Sequence, residues 1–260
     1  MRMRIGIIGG SGLEGLYDRQ GLREQCVDTR YGQARVYIVT VDGREVVFLP
    51  RHNKGHDLPP HKINYRANIR ALETLGCHNV IATNAVGGLA SAMEPGEFVV
   101  VDQFLDFTRQ RPLTFFDGED GQVHHVDMTY PYCPRLRNLL TDAAEAEGLG
   151  GKVHPAGTYV CCEGPRFETP AEIRMFAQLG ADVVGMTGVP EVVLAREAGL
   201  CYASVCIITN WAAGLRPSLL AHTEFIKIMD QVGEELRGML RRTIAELTDD
   251  PQCQCRKALI

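Results

Sequence analysis

The residues with the clearest chemical potential stand where apolar runs stop. Gly9-Gly10-Ser11-Gly12 follows the apolar residues 5–8, and its backbone N–H groups with the Ser11 hydroxyl suit a phosphate oxygen. Arg51-His52 follows VVFLP, where a permanently charged guanidinium offers a planar fork and an imidazole adds a donor. ATNAVGGL (82–89) ends a third run in Asn84, Ala85 and two glycines, and GMTGVPE (185–191) ends a fourth in Thr187. One such terminus is ordinary; four imply a shared anion pocket, because α/β sheets hold ligands at strand ends. Two further termini are polar in another way. Glu163 and Glu168 flank the Gly-Pro turn of CCEGPRFET, and SVCIITN stops at Asn210. A carboxylate only accepts hydrogen bonds while an amide donates and accepts, so the pair matches a heterocycle with adjacent N–H and C=O edges, as in a 6-oxopurine. Glu168 also precedes a helix start, where an acid suits capping and the helix dipole, so its type alone leaves both roles open.

These groups need elements to position them. Residues 5–8 read as a strand, and VYIVTV and EVVFL, hinged at Asp42-Gly43, read as a hairpin within residues 35–49. Apolar spacing predicts helices over 62–75, 135–147, 169–179, 190–198 and 224–247, the first stopped by Gly76. Between them lie predicted strands at 79–86, 97–107, 158–164, 182–187 and 201–210. This alternation implies an α/β fold, a single domain over residues 1–260 with a mixed, mainly parallel central sheet flanked by helices. The tail 248–260 is unassigned. Residues 108–134 lack periodicity and collect Gly, Pro, His and aromatics, the mark of a functional or subunit-contacting loop.

Composition narrows the class. With 260 residues, 45% hydrophobic and 23% charged, the chain is long enough for a sizeable core and unlike disordered or fibrous proteins. A net charge of −5 without a long basic run argues against a nucleic-acid partner. No window is apolar enough to cross a bilayer, so no membrane partner and a cytoplasmic location are expected. Nine cysteines form no CxxC and no Cys/His ligand spacing, which argues against a secreted disulfide framework and a structural zinc site. The adjacent Cys161-Cys162 and the tail pair Cys253 and Cys255 stand apart from the rest. Gly10 to Gly15 also spells GxGxxG, which read alone would imply a dinucleotide-binding dehydrogenase. No acid follows at a strand end about 20 residues on, so this competing reading is weak.

Taken together, GIIGGSGL, RH (51–52), HKINYRAN, ATNAVGGL, EGPRFET, GMTGVPEVVLAREAG and IITN resemble the trimeric purine nucleoside phosphorylase and methylthioadenosine phosphorylase family over residues 4–247. The resemblance implies phosphorolysis of a purine nucleoside in purine salvage, with inorganic phosphate as co-substrate and no metal or organic cofactor. It puts phosphate against Ser11, Arg51, His52, the Asn84-Ala85 backbone and Thr187. It puts Met186 against the ribose, and Phe167, Glu168 and Asn210 at the base. His125, in the 108–134 loop, would reach toward a neighbouring subunit's pocket, and a homotrimer or a hexamer of two trimers is implied. Asn210, Glu168 and His52 are the candidate catalytic residues. Family members acting on 6-aminopurines carry Asp where Asn210 stands, so inosine and guanosine are the expected substrates. His222 matches the position where 5′-hydroxyl enzymes present His, whereas strings such as VPEVVLAREAGLCYAS look like the methylthioadenosine branch; 5′-methylthioinosine or 5′-methylthioadenosine is therefore the alternative substrate.

Overall fold

The computed structural model describes residues 4–9, 21–53, 55, 57–119, 121–217 and 222–260, the last range without the side chains of 222–225. Its centre is built from strands buried on both faces. β1 (Arg4–Gly9) and β5 (Cys77–Gly88) are almost wholly buried, and the unbroken apolar run of β11 (Cys201–Trp211) marks a third such strand. β1 pairs in parallel with β4 (Arg44–Pro50) and with β5, and β5 pairs in parallel with β11. β10 (Val183–Gly185) meets β5 antiparallel and β9 (Thr158–Cys162) parallel, and β9 carries β7 (Gln103–Phe107) parallel. β6 (Phe98–Val100) pairs antiparallel with β11 and parallel with β8 (Val153–His154). The sheet is thus mixed and mainly parallel, as expected.

Helices cover both faces. α1 (Tyr65–Thr74) is capped by the Asn64 side chain, which accepts from the Ala67 amide, and buries Tyr65, Ala67, Ile69, Ala71 and Leu72. It packs with α4 (Gly188–Glu197) over one face, where Ile8, Val47 and Val80 point. α2 (Pro134–Ala146) and α5 (His222–Glu246) cover the other face, where Ile5, Ile7, Leu136 and Leu240 meet. The period-two alternation along β1 therefore splits its isoleucines between two cores. α3 (Pro170–Gln178) closes a third cluster with β9 and β10 through Ile173 and Phe176.

Two expectations change. The strand expected over 97–107 is two strands, because the Asp102 carboxylate and amide both bond Gly157 and turn the chain from the β11 edge to the β9 edge. The hairpin is a three-stranded meander: β2 (Arg23–Thr29) pairs antiparallel with β3 (Gly32–Val41), which in turn pairs antiparallel with β4. β2 is polar, with only Val27 buried, because it is an edge strand with little apolar alternation to betray it.

Candidate functional site

Among the described residues, one interior edge of the sheet has no strand paired to it. On one side of β5, β1 pairs with residues as far as Ala82, and β10 resumes at Gly87 and Gly88. Residues 83–86 lie between the two. The Thr83 carbonyl turns into this gap to accept from Arg51 Nη1 at 2.9 Å. Because peptide groups alternate along a strand, the Ala85 N–H faces the same way. Ala85 is the exposed residue in this otherwise buried stretch of β5, as a strand opening onto a crevice requires.

Arg51 follows β4, and its backbone N–H bonds the carbonyl of Gly9, where β1 ends. Its side chain is buried, at 3% exposure. Nε and Nη2 form a two-pronged pair with Glu191 at 2.8 and 2.9 Å, and Tyr202 Oη donates to the same carboxylate at 2.7 Å. Burial alone would lower the Arg51 pKa, but the adjoining Glu191 charge more than offsets it and holds the guanidinium protonated. Three of its five N–H groups are used, which leaves one on each Nη for an anion.

Thr187 precedes α4 and reaches the same gap. Its hydroxyl donates to Asn84 Oδ1 at 2.8 Å, and Asn84 Nδ2 donates to Ser204 Oγ on β11 at 2.7 Å. The amides of Thr187 and Gly188 both donate to the Tyr159 hydroxyl at 3.2 Å. A Cβ at Gly185 or Gly188 would collide with the Tyr159 ring, so the glycines flanking Thr187 exist to let that tyrosine hold the turn. Gly87 and Gly88, which the sequence placed beside a ligand, serve packing instead: a Cβ on either would press on Val184, Ala212 or Ile208. Arg51, Asn84, Ala85 and Thr187 are thus brought together at this gap, and the Thr83 carbonyl, which the sequence reading did not single out, joins them. His52 directs Nδ1 to the Leu58 carbonyl at 2.8 Å. Ser11 lies outside the described residues.

A second polar site adjoins. Glu168 is 8% exposed, and its Oε1 is buried with no hydrogen-bond partner among the described residues. Burial raises its pKa. The nearby Cys162 thiol is pushed up by burial first and then by the charge of Glu168, and so stays protonated. Capping does not explain this glutamate, because Thr169 is the N-cap of α3 and forms a reciprocal capping box with Glu172. Glu168 also borders a cavity of about 340 Å³ that includes Cys162, Glu163 and Phe107. Met186 lies against Gly164, whose φ of +61° spares it a Cβ that would meet the Met186 sulfur.

Asn210 is placed by a bulge. β11 matches Ile208 to Val86 and Asn210 to Gly87, so Thr209 is an extra residue that redirects the strand end. Asn210 Oδ1 accepts from Thr209 Oγ1 and its Nδ2 donates to the Trp211 carbonyl, both at 2.9 Å. Each amide atom keeps one unused bonding position. Four residues on, Gly214 packs so closely on Pro170 that a Cβ would clash, which ties the Asn210 segment to the Glu168 segment.

Three further expectations concern Phe167, His125 and His222. Phe167 is 60% exposed. His125 exchanges backbone hydrogen bonds with Ile260 in the C-terminal tail and is exposed. His222 opens α5, and its side chain lies outside the described residues. Sequence reasoning missed Glu191, Tyr202, Tyr159 and Ser204 as positioning residues. Glu191 carried a legible signal, an acid among the apolar residues of VPEVVLA, since a buried carboxylate demands a partner.

The crevice beside β5, lined by a buried arginine and an amide-hydroxyl relay and adjoined by a buried acceptor, carries the groups a small anionic ligand needs. Residues 4–245 match the Phosphorylase superfamily, and the chain belongs to that family. It is 51% identical to the probable 6-oxopurine nucleoside phosphorylase of Thermococcus kodakarensis, over 98% of this chain and 97% of that protein. It is 49% identical to the probable S-methyl-5′-thioinosine phosphorylase of Methanothermobacter thermautotrophicus, over 98% and 88%. Among solved structures, the methylthioadenosine phosphorylase of Schistosoma mansoni in complex with adenine superposes with a TM-score of 0.87 at 36% identity, covering 94% of this chain and 91% of that one.

Proposed function

We propose that this chain catalyses phosphorolysis of 6-oxopurine nucleosides, inosine and guanosine, giving the free base and ribose 1-phosphate. Inorganic phosphate is the co-substrate, and neither a metal nor an organic cofactor takes part in the reaction. Phosphate occupies the gap between β1 and β10, held by the free Nη hydrogens of Arg51, the Ala85 N–H and the Thr187 hydroxyl, whose proton turns from Asn84 Oδ1 to the anion, with Ser11 and His52 as further ligands by family resemblance. As the C1′–N9 bond breaks, positive charge grows on the sugar, and the fixed phosphate both stabilises that charge and attacks C1′. The electron pair leaves with the base. Asn210 Oδ1 accepts from N7–H as that nitrogen gains a proton, and Nδ2 donates to O6 as its electron density rises, so both bonds strengthen toward the transition state.

The observation that carries the 6-oxo assignment is the buried, unpartnered Oε1 of Glu168. A 6-oxopurine presents N1–H to it, whereas adenine presents a lone pair. Leaving a buried acceptor unpaired, or opposing it with another, disfavours the wrong base by orders of magnitude. Phe167 flanks the base, Met186 the ribose, and His222 the 5′-hydroxyl. The exposed apolar Phe167, Val123 and Tyr130 support subunit contacts in a trimer or hexamer, with His125 delivered to a neighbour's pocket. Among the described residues no helix is long and apolar enough to cross a membrane, which accords with a cytoplasmic salvage enzyme.

The test is product chromatography from inosine with and without phosphate, alongside adenosine and 5′-methylthioinosine. Hypoxanthine released only with phosphate supports the reading; preferential release of adenine refutes the Glu168 argument. Faster turnover of 5′-methylthioinosine than of inosine keeps the base assignment and moves the 5′ assignment to the second reading, favoured by the thioinosine-named relative.

A further inference from the structure

The sulfur atoms of Cys133, Cys201, Cys253 and Cys255 all lie within 4.8 Å of one another. Linear spacing could not reveal this group, because it is assembled from three separate segments. Cys133 is the N-cap of α2, Cys201 is the first residue of β11, and the other two flank Gln254 at the start of a 3₁₀ turn in the tail. Cys133, Cys201 and Cys255 are at most 2% exposed, and Cys253 is half-buried.

We propose that these four cysteines form a structural site for a thiophilic divalent cation, zinc by chemical preference. A tetrahedral ion with metal–sulfur bonds of about 2.3 Å holds its sulfurs about 3.8 Å apart. Cys133 and Cys253 are separated by 3.8 Å. No disulfide joins the nine cysteines, and the cluster offers four sulfur ligands, the number a closed structural site uses. Four thiolates around a dication carry a net charge of about −2, and two features offset it. The N-terminus of α2 directs its positive dipole end at Cys133. Arg135 lies alongside Cys201, Cys133 and Cys253, and its buried Nε has no hydrogen-bond partner.

The location explains what such an ion would hold. Cys201 and Asn210 stand at opposite ends of β11, roughly 30 Å apart at about 3.3 Å per residue, so the ion is remote from the reaction. It would fasten the tail to α2 and β11. Beyond the cysteines that tail forms a bridge between Leu259 and Val126 and bonds the backbone of His125 and Asp127. The cation would thus brace the loop bearing His125.

The test is elemental analysis of chain expressed with zinc in the medium and purified without chelator, with intact-mass measurement of its thiols. The expected result is about one zinc per chain with all nine cysteines reduced. Substituting cobalt should give the visible absorption of a tetrahedral thiolate site. Cys133→Ser and Cys255→Ser should lose the metal, while Cys26→Ser, at an exposed thiol outside the group, should retain it. Chelation should lower Tm without changing the mass. Metal-free protein whose mass is about 4 Da low, as two disulfides dictate, would overturn the proposal. So would metal-free, fully reduced protein that takes up neither zinc nor cobalt.

Discussion

Asn210→Asp is the substitution that most directly interrogates base choice. In the unliganded arrangement Nδ2 donates to the Trp211 carbonyl at 2.9 Å while Oδ1 accepts from Thr209. An aspartate keeps the second bond and replaces the first with two facing acceptors. Toward O6 of inosine the same exchange turns a donor into an acceptor, which removes a hydrogen bond and adds repulsion, together about 2–3 kcal/mol. Toward the 6-amino group of adenosine it supplies an acceptor worth about 1 kcal/mol. The ratio of kcat/KM for inosine over adenosine should therefore fall by about 3–4 kcal/mol, roughly 10²–10³-fold. The fall should come mainly from inosine, since Glu168 still opposes the bare N1 of adenine. The assay is steady-state phosphorolysis of both nucleosides at saturating phosphate, with Tm measured to correct for the Trp211 clash. An equal loss on both substrates would refute a role for Asn210 in reading position 6.

The other predictions concern the charged groups. Glu168→Gln should reduce kcat/KM for inosine roughly 10–100-fold, from loss of a charged hydrogen bond worth about 1.5–3 kcal/mol, with a smaller change for adenosine. Because burial raises the Glu168 pKa, inosine turnover should begin to fall on the acid side at a higher pH than an ordinary carboxylate would dictate, and a pH–rate profile checks it. Stability runs the opposite way: the folded state binds the proton more tightly, so this group contributes stability at low pH that is lost as pH rises through its raised pKa. Glu168→Gln should accordingly flatten the neutral-to-acid dependence of Tm. Glu191→Ala should destabilise the fold by about 3–5 kcal/mol, because it leaves Arg51 charged, buried and unpaired. Phosphate should then raise Tm more in the variant than in the parent, by mass action on the exposed cation. Thr187→Val should raise KM for phosphate several-fold and leave KM for inosine nearly unchanged, as the hydroxyl meets Asn84 and the anion rather than the base.

Strand ends were legible because an apolar run that stops in a polar or small residue announces both the strand and its mouth. Arg51, Asn84 and Thr187 were each picked out in that way; the parallel pairing of β4, β1 and β5 brings Arg51 beside β5, and the antiparallel pairing of β10 with β5 carries Thr187 back to Asn84. What the sequence hid was supplied by tertiary pairing. β2 is an edge strand whose single buried residue leaves no period to detect. The division of residues 97–107 depends on Asp102 bonding Gly157, 55 positions away. The glycines of VGG and GMTG were read only as part of strand ends facing a pocket; that a neighbouring strand and the Tyr159 ring press on them was not legible.

The same contrast separates the two halves of the site. The residues assigned to phosphate are largely held in place: Glu191 pairs with Arg51, and Thr187, Asn84 and Ser204 form a hydrogen-bonded chain, while one hydrogen on each Arg51 Nη stays free for the anion. Such preorganisation spares the reaction the reorganisation that water would undergo. In the proposed reaction the base half starts unsatisfied at Glu168 Oε1, a deficit that would lower stability in the free protein and be relieved by the N1–H of a 6-oxopurine. Catalytic placement and base discrimination therefore draw on opposite physical states of neighbouring groups, one neutralised and one deliberately left wanting. A double variant, Glu191→Ala with Glu168→Gln, should show nearly additive losses in kcat/KM if the halves are independent. Coupling above about 1 kcal/mol would mean that the two halves act as one network.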